Sequence, residues 1–356
     1  MKFSTEKMSA IKNSITEEEK ISDYVLPILR YHSRWGEVEK QDFEYLLQDK
    51  MFFAKGNEPA FGGNLELSYE FEKSDEIPQK ISDNVKKHLD TIVDICKEQN
   101  IELLLVKTPC FIEYPREKWT RGKSQAVKNY AEEKNITFLE YNEMLDETGI
   151  IKETDFSDSV HMNVTGAEKL SVHLGKYIKE NYLPKGYKNE KVDKQEWNFC
   201  YEKYQALKNA NEIDTETDPT QYIEKLKNSD YVISIVTKDI MNDDDKALGE
   251  KLAQLGLEQI TNRNENDNYV AVIEKGKTIF EKIGNEKIEY FNKNIDDVPY
   301  LISCMPPNDG QNASILIDKT QVCQNQRGIN LVVYDTKLDK VVDSCCFADE
   351  NTISRK

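Results

Sequence analysis

No stretch of this chain is long and apolar enough to cross a bilayer. The first residues, MKFSTEKMSAIKNSITEEEK, lack the apolar segment of a signal peptide, so no export signal is expected from the chain as written. Basic residues are in deficit: 48 Lys and Arg stand against 65 Asp and Glu, a net charge of −17. Nucleic acid needs a basic stripe to meet its phosphates, so this balance disfavours it as a partner, and it equally disfavours an anionic membrane surface. The seven cysteines are odd in number and contain no C-x-x-C pair, which argues against a zinc site and a disulfide framework. Cys96, Cys304 and Cys345 lie in apolar runs and read as buried thiols. On a strand, Cys345 and Cys346 would face opposite ways. Internal repeats and low-complexity tracts are missing too. Asp243, Asp244 and Asp245 lack the spacing of a calcium loop, and Gly62-Gly63 is too little for a phosphate loop, so no metal or cofactor is expected.

What is present is a soluble-protein composition, 32% charged and 38% hydrophobic, on 356 residues, enough for two ordinary domains. Residues 1–75 read as an irregular N-terminal segment, with one short helix expected around Gln41–Gln48. From Ile77 the signal is regular. Ile81, Val85, Leu89, Ile92 and Cys96 recur at helical spacing, with Pro78 suited to a first turn. IELLLVK follows, a continuous apolar run that predicts a strand buried on both faces. A second helix contains Val127, Tyr130 and Ala131, and ITFLEY is the next strand. Helix–strand–helix–strand order predicts a parallel sheet. A polar loop, ETDFSDSVHMN, leads to a further helix, for which Thr165 and Glu168 read as a capping box. This region spans 76–188, and a helical connector, 189–228, follows it. Residues 229–350 are rich in strands: YVISIVT, YVAVIE, KIEYF, YLISCM, SILID, INLVVYD and KVVDSCCF, with one helix over DDDKALGEKLAQLG that Gly256 stops. Asp335–Asp339 is expected to turn a hairpin.

The candidate site is Asp158 with His161. A carboxylate three residues before a histidine can fold back onto the ring, fix its tautomer and stabilise the imidazolium, while the other ring nitrogen works as base and acid. An isolated D-x-x-H is also an ordinary pair of loop residues. His32, beside Arg34 and Trp35, reads as packing or substrate contact, and His88 and His173 as solvated helix positions.

The run from Asp158 to Ala167, D-S-V-H-M-N-V-T-G-A, resembles the terminal block of SGNH/GDSL-type hydrolases. Upstream, LLLVKTP and the strand within Asn135–Asn142 occur in the order that family uses. The resemblance covers Ile77–Tyr182, the C-terminal half of such a fold, and is closest to cell-envelope members that act on surface polysaccharide, relatives of the D-alanine transfer protein of teichoic acids. It implies a partial flavodoxin-like parallel sheet, His161 as acid–base, Asp158 as its orienting carboxylate, and an outward-facing location in a bacterial envelope. The family's Gly-x-Ser turn and its oxyanion-hole Gly and Asn have no counterpart here. Ser4, Ser9, Ser14, Ser22 and Ser33 all precede the first clear strand, and none follows an apolar strand and a Gly. Without a nucleophile, which an upstream segment would have to supply, the chain alone is expected to be inactive.

The C-terminal region resembles the PANDER-like, interleukin-like EMT-inducer domain through Gly328-Ile329-Asn330 and Val342-Asp343-Ser344 with Phe347. That resemblance implies a mostly β, sandwich-like fold with flanking helices and binding of a surface polysaccharide or other glycan. The residues themselves also allow purely structural roles: a glycine at a strand entry and an asparagine in a turn. Two functions therefore stand: part of a polysaccharide O-acyl esterase or acyltransferase, or a non-catalytic carbohydrate-binding or interaction protein.

Overall fold

The structure is a computed structural model that describes residues 4–14, 21, 24, 59–63, 80–111, 116–183, 194–228, 230–238, 244–264, 267–295, 298–306, 310 and 312–355. The helix expected around Gln41–Gln48, together with Pro78 and His32, lies outside them. Two compact units are formed, Met1–Phe53 and Ala54–Lys356. In the first, residues 5–14 are not irregular as expected: helix α1 (Thr5–Ser14) starts where the Ser4 hydroxyl accepts a hydrogen bond from the Lys7 N–H at 3.1 Å.

The second unit is a mixed α/β structure with a small parallel sheet and antiparallel sheets. Helix α2 (Asp83–Glu98) leads to strand β1 (Leu104–Lys107), and helix α3 (Arg116–Lys134) crosses over to β2 (Thr137–Glu140). β1 and β2 pair in parallel, Leu104 with Thr137 through Lys107 with Glu140. Two sequence expectations change here. β1 is not buried on both faces, because β2 is its only strand partner among the described residues and Val106 remains exposed. On α2 the buried position is Val93, with Leu89 and Cys96 half-buried, while Val85 and Ile92 of the expected stripe are exposed.

Beyond β2 come a short helix, α4 (Leu145–Thr148), the Asp158–His161 loop, and helix α5 (Val164–Asn181). The expected Thr165/Glu168 capping box does not form. Asn163 caps α5 instead, its side-chain oxygen accepting the Gly166 N–H at 3.2 Å, and Glu168 bonds Tyr204 and Lys208. Those partners sit on helix α6 (Lys194–Asp214), which precedes helix α7 (Pro219–Lys225). α7 starts with Asp218 accepting the Gln221 N–H at 2.8 Å and Pro219 in the first turn.

Strand β3 (Tyr231–Lys238), helix α8 (Asp244–Ala253) and strands β4 (Asn268–Glu274), β5 (Lys277–Gly284), β6 (Ile288–Ile295), β7 (Val298–Cys304), β8 (Ala313–Ile317), β9 (Thr320–Gln321), β10 (Gly328–Asp335), β11 (Lys340–Asp349) and β12 (Thr352–Ser354) complete the chain. They form a six-stranded antiparallel sheet in the order β12-β11-β10-β3-β4-β5 and a four-stranded one in the order β6-β7-β8-β9. Alternation along β3 explains the layering. Ile233 and Ile235 join Ile213, Tyr222, Leu226, Leu248 and Leu252 of the α6–α8 region in one core. Val232 and Val236, on the opposite face, join Ile302 and Ile315 of the four-stranded sheet in another. Burying each such aliphatic side chain stabilises the fold by about 1.5–3 kcal/mol, so the double-faced β3 is its central strand. All seven cysteines are free thiols. Cys345 belongs to the helix-side core, while Cys346 donates to the Arg327 carbonyl from the other face of β11.

Candidate functional site

The loop that carries Asp158 and His161 is held from three directions. Its base is tied to α5. Buried Asp155 accepts the Ile151 N–H at 2.7 Å and the Lys169 ammonium at 2.7 Å, and its carbonyl accepts the Asn163 N–H at 3.0 Å. Burial pushes the Asp155 carboxyl up, but Lys169 and the N–H of Ile151 outweigh it and hold the group below the usual carboxylate range. Gly166 lies against this turn: a Cβ there would stand 2.2 Å from the Asp155 carbonyl oxygen. The second tie comes from the loop after β1, where the Phe111 N–H donates to the Ser159 carbonyl at 2.7 Å and the Phe111 ring meets buried Phe156 edge-on at 4.7 Å. The third is the segment Ala60–Gly63. Val164 donates to the Ala60 carbonyl at 2.8 Å, and the Asn163 amide to the Gly62 carbonyl at 3.2 Å. A Cβ on Gly63 would meet the Phe156 carbonyl at 2.6 Å. Gly62-Gly63 is therefore a packing strap, with a glycine where backbone meets backbone.

Within this frame the sequence-predicted pair is brought together. The Asp158 Oδ1 accepts the N–H groups of Val160 and His161, each at 2.8 Å, and Oδ2 lies 2.7 Å from His161 Nδ1. Ser157 closes the turn through two bonds to the His161 carbonyl, 2.9 Å from its N–H and 3.1 Å from its hydroxyl. Burial raises the Asp158 carboxyl, but the His161 ring and the two N–H donors together hold it below its ordinary value. An acceptor-only carboxylate on Nδ1 assigns the proton to that nitrogen and leaves Nε2 as the basic atom. The Asp158 side chain is 10% exposed and that of His161 68%, so the ring stands out from a buried anchor.

Such a pair can accept a proton at Nε2 and return it, with the carboxylate stabilising the imidazolium between the two steps. Among the described residues no side chain is hydrogen-bonded to Nε2. Ser4, Ser9 and Ser14 belong to the first unit, and Ser22 and Ser33 lie outside the described residues. No group of three or more His, Cys, Asp or Glu side chains converges as metal ligands among the described residues.

The other histidines do different work. His88 is exposed on α2. His173 is not on a solvated face as expected: its Nδ1 is 3.1 Å from the Tyr141 hydroxyl, and the two rings pack edge-on at 5.5 Å. Sequence reasoning missed Phe111 and Lys169, which act on the loop from other elements, and Asp155, which lies in the loop but has nothing in its sequence that sets it apart from its polar neighbours. Gly328 stands at a strand entry as expected, whereas Asn330 lies within β10 and not in a turn. Gly328 has φ +119, and Asn330, fully buried, accepts the Gln326 N–H at 3.0 Å and donates to its carbonyl at 2.7 Å.

The chain matches no family model, no curated protein and no solved structure.

Proposed function

We propose that this chain is the acid–base portion of an SGNH-type O-acyl esterase or acyltransferase directed at cell-surface polysaccharide, with a PANDER-like C-terminal domain that binds the glycan. The observation that carries the reading is the 2.7 Å contact between His161 Nδ1 and Asp158 Oδ2 on a carboxylate also fixed by two backbone N–H donors. The two N–H bonds form an ordinary Asp turn, as at Asp335, and the contact to the ring is what this pair adds. In the proposed reaction a serine hydroxyl supplied from outside the described residues gives its proton to Nε2 and attacks the acyl carbonyl. His161 then returns the proton to the departing sugar oxygen. The layered β region with helices on one face is compatible with the PANDER-like reading, and an outward-facing envelope location goes with the same proposal. Among the described residues no helix is long and apolar enough to cross a membrane.

A second reading, in which the chain binds glycan without turning it over, goes with an exposed His161 ring whose Nε2 has no side-chain hydrogen bond among the described residues. Calorimetry on the full chain separates the two. If the acid–base reading holds, an O-acylated surface polysaccharide binds more tightly than the same polymer after alkaline de-acylation, and His161→Ala removes the difference. Equal binding of both polymers, unaffected by His161→Ala, leaves only the binding protein. If neither polymer binds, both readings are rejected.

A further inference from the structure

A cavity of about 670 Å³ opens beside the carboxyl ends of β1 and β2, separate from the Asp158–His161 pair. Open α/β sheets take their ligands at this end of the strands, and the volume lies within the range of small-molecule sites. Lys107 and Glu140, the last residues of the two strands, form its floor. The Lys107 ammonium bonds both Glu140 oxygens at 2.8 and 3.0 Å, and the Ser124 hydroxyl bonds Glu140 as well. This half-buried ion pair is closed on itself and presents little charge to a ligand.

The walls are different. Arg121, Lys128 and Lys152 line the cavity, against one further carboxylate, Glu143, whose contact with Lys128 is a loose 3.7 Å. Lys152 has no carboxylate partner among the described residues and sits 5.8 Å over the Phe111 ring. Thr120, in the lining, has a hydroxyl oxygen shielded from solvent and without a hydrogen-bond partner. In a chain of net charge −17, the described lining of this cavity sets Lys128 and Lys152 against the single carboxylate Glu143 outside the closed Lys107–Glu140 pair, a local reversal of sign. A single ion would not fill it, and the apolar surfaces of Phe111 and Phe138 suit the faces of a ring. Phe111 is also the residue whose N–H holds the dyad loop through Ser159.

We propose that this cavity is a subsite for an acidic sugar, one that carries a carboxylate or a phosphate. The anion meets Lys152 and Lys128, and the ring lies against Phe111. The proposal rests on the polysaccharide reading above and names the class of polymer: an anionic one.

Calorimetry on the full chain at low salt tests it with four probes: a uronate oligosaccharide, its carboxyl-reduced neutral counterpart, a sugar phosphate and inorganic phosphate. The uronate or the sugar phosphate, or both, should bind at least roughly tenfold more tightly than the neutral sugar, the order expected for charge-assisted hydrogen bonds. Which of the two binds identifies the anion. Lys152→Ala and Lys128→Ala, both on accessible side chains, should each weaken that binding by roughly tenfold. Equal affinity for acidic and neutral sugars, no effect of either lysine variant, or inorganic phosphate binding as tightly as the sugars overturns the subsite. Its failure is distinguishable from failure of the acyl-transfer reading. Lysine-dependent binding of acidic sugars without any preference for acylated polymer keeps the subsite and rejects the dyad's role. A preference for acylated polymer without charge dependence does the reverse.

Discussion

The Arg355 guanidinium grips the Asp343 carboxylate with two nitrogens, at 3.0 and 3.1 Å. The same carboxylate accepts the Tyr222 hydroxyl at 2.6 Å, and Arg355 donates to the carbonyls of Glu216 and Ile213 at 2.8 Å each. Asp343 is thus the joint between β11, the α6–α7 helices and the residue after β12. Removing one partner of a buried ion pair strands the other charge. Arg355→Ala is expected to cost about 3 kcal/mol or more in urea denaturation. A loss under about 1 kcal/mol would place the pair with exposed surface bridges instead.

Asp158→Asn removes the carboxylate that His161 and two N–H groups share. Because its folded-state pKa is depressed, this carboxylate's stabilisation is fully present above the ordinary Asp range, about pH 4. It fades as pH falls through the lower folded value. Thermal melts should therefore show wild type more stable than Asp158→Asn at neutral pH, by about 1–3 kcal/mol, with the gap closing in acid. A gap of constant size would contradict the pairing. Neither this variant nor His161→Ala should differ from wild type in p-nitrophenyl acetate hydrolysis. A clear excess in wild type would show that the chain carries its own nucleophile.

Asp335 shifts the other way. It is fully buried, and burial raises its carboxyl against the N–H donors Leu338 and Lys337; one of its oxygens has no partner. A raised folded-state pKa means that stability is greatest at low pH and is lost as pH climbs from the unfolded value through the folded one. Asp335→Asn keeps the acceptor for the turn and removes the charge. It should be more stable than wild type at pH 7 and lose that advantage near pH 3, as melting curves at the two pH values will show.

Two glycines and a third serve as an internal comparison. At Gly166 and at Gly328, an added Cβ would stand 2.2 Å from a backbone carbonyl, that of Asp155 and of Phe347 respectively. Alanine at either is expected to cost about 1–3 kcal/mol or more, since backbone must shift. Gly175, also on α5, has nothing within 4 Å of the added atom. There alanine should stabilise by about 0.5–1 kcal/mol through helix propensity alone. Denaturation midpoints in the order Gly175→Ala, wild type, then the other two check the packing of the dyad loop; Gly166→Ala at wild-type stability would refute it.

The sequence by itself determined what depends on short separations. The helix–strand–helix–strand order up to β2, the β10–β11 hairpin and the fold-back of Asp158 onto His161 all follow from periodicity, turn residues and a three-residue spacing. It missed β5, whose half-buried residues carry little apolar contrast, and β9 and β12, which are two and three residues long. Tertiary structure decided whatever joins distant segments. Asn163 replaced the Thr165/Glu168 box as the cap because Glu168 was drawn to Tyr204 and Lys208, 36 and 40 residues away. Phe111 became the link between the dyad loop and a cationic cavity, and Lys169 the counter-ion beneath the loop. The physical reason is the same in each case. A local pattern records which face of an element is apolar and which turn it can make, but a polar side chain settles on whichever partner the packed fold brings within hydrogen-bond reach.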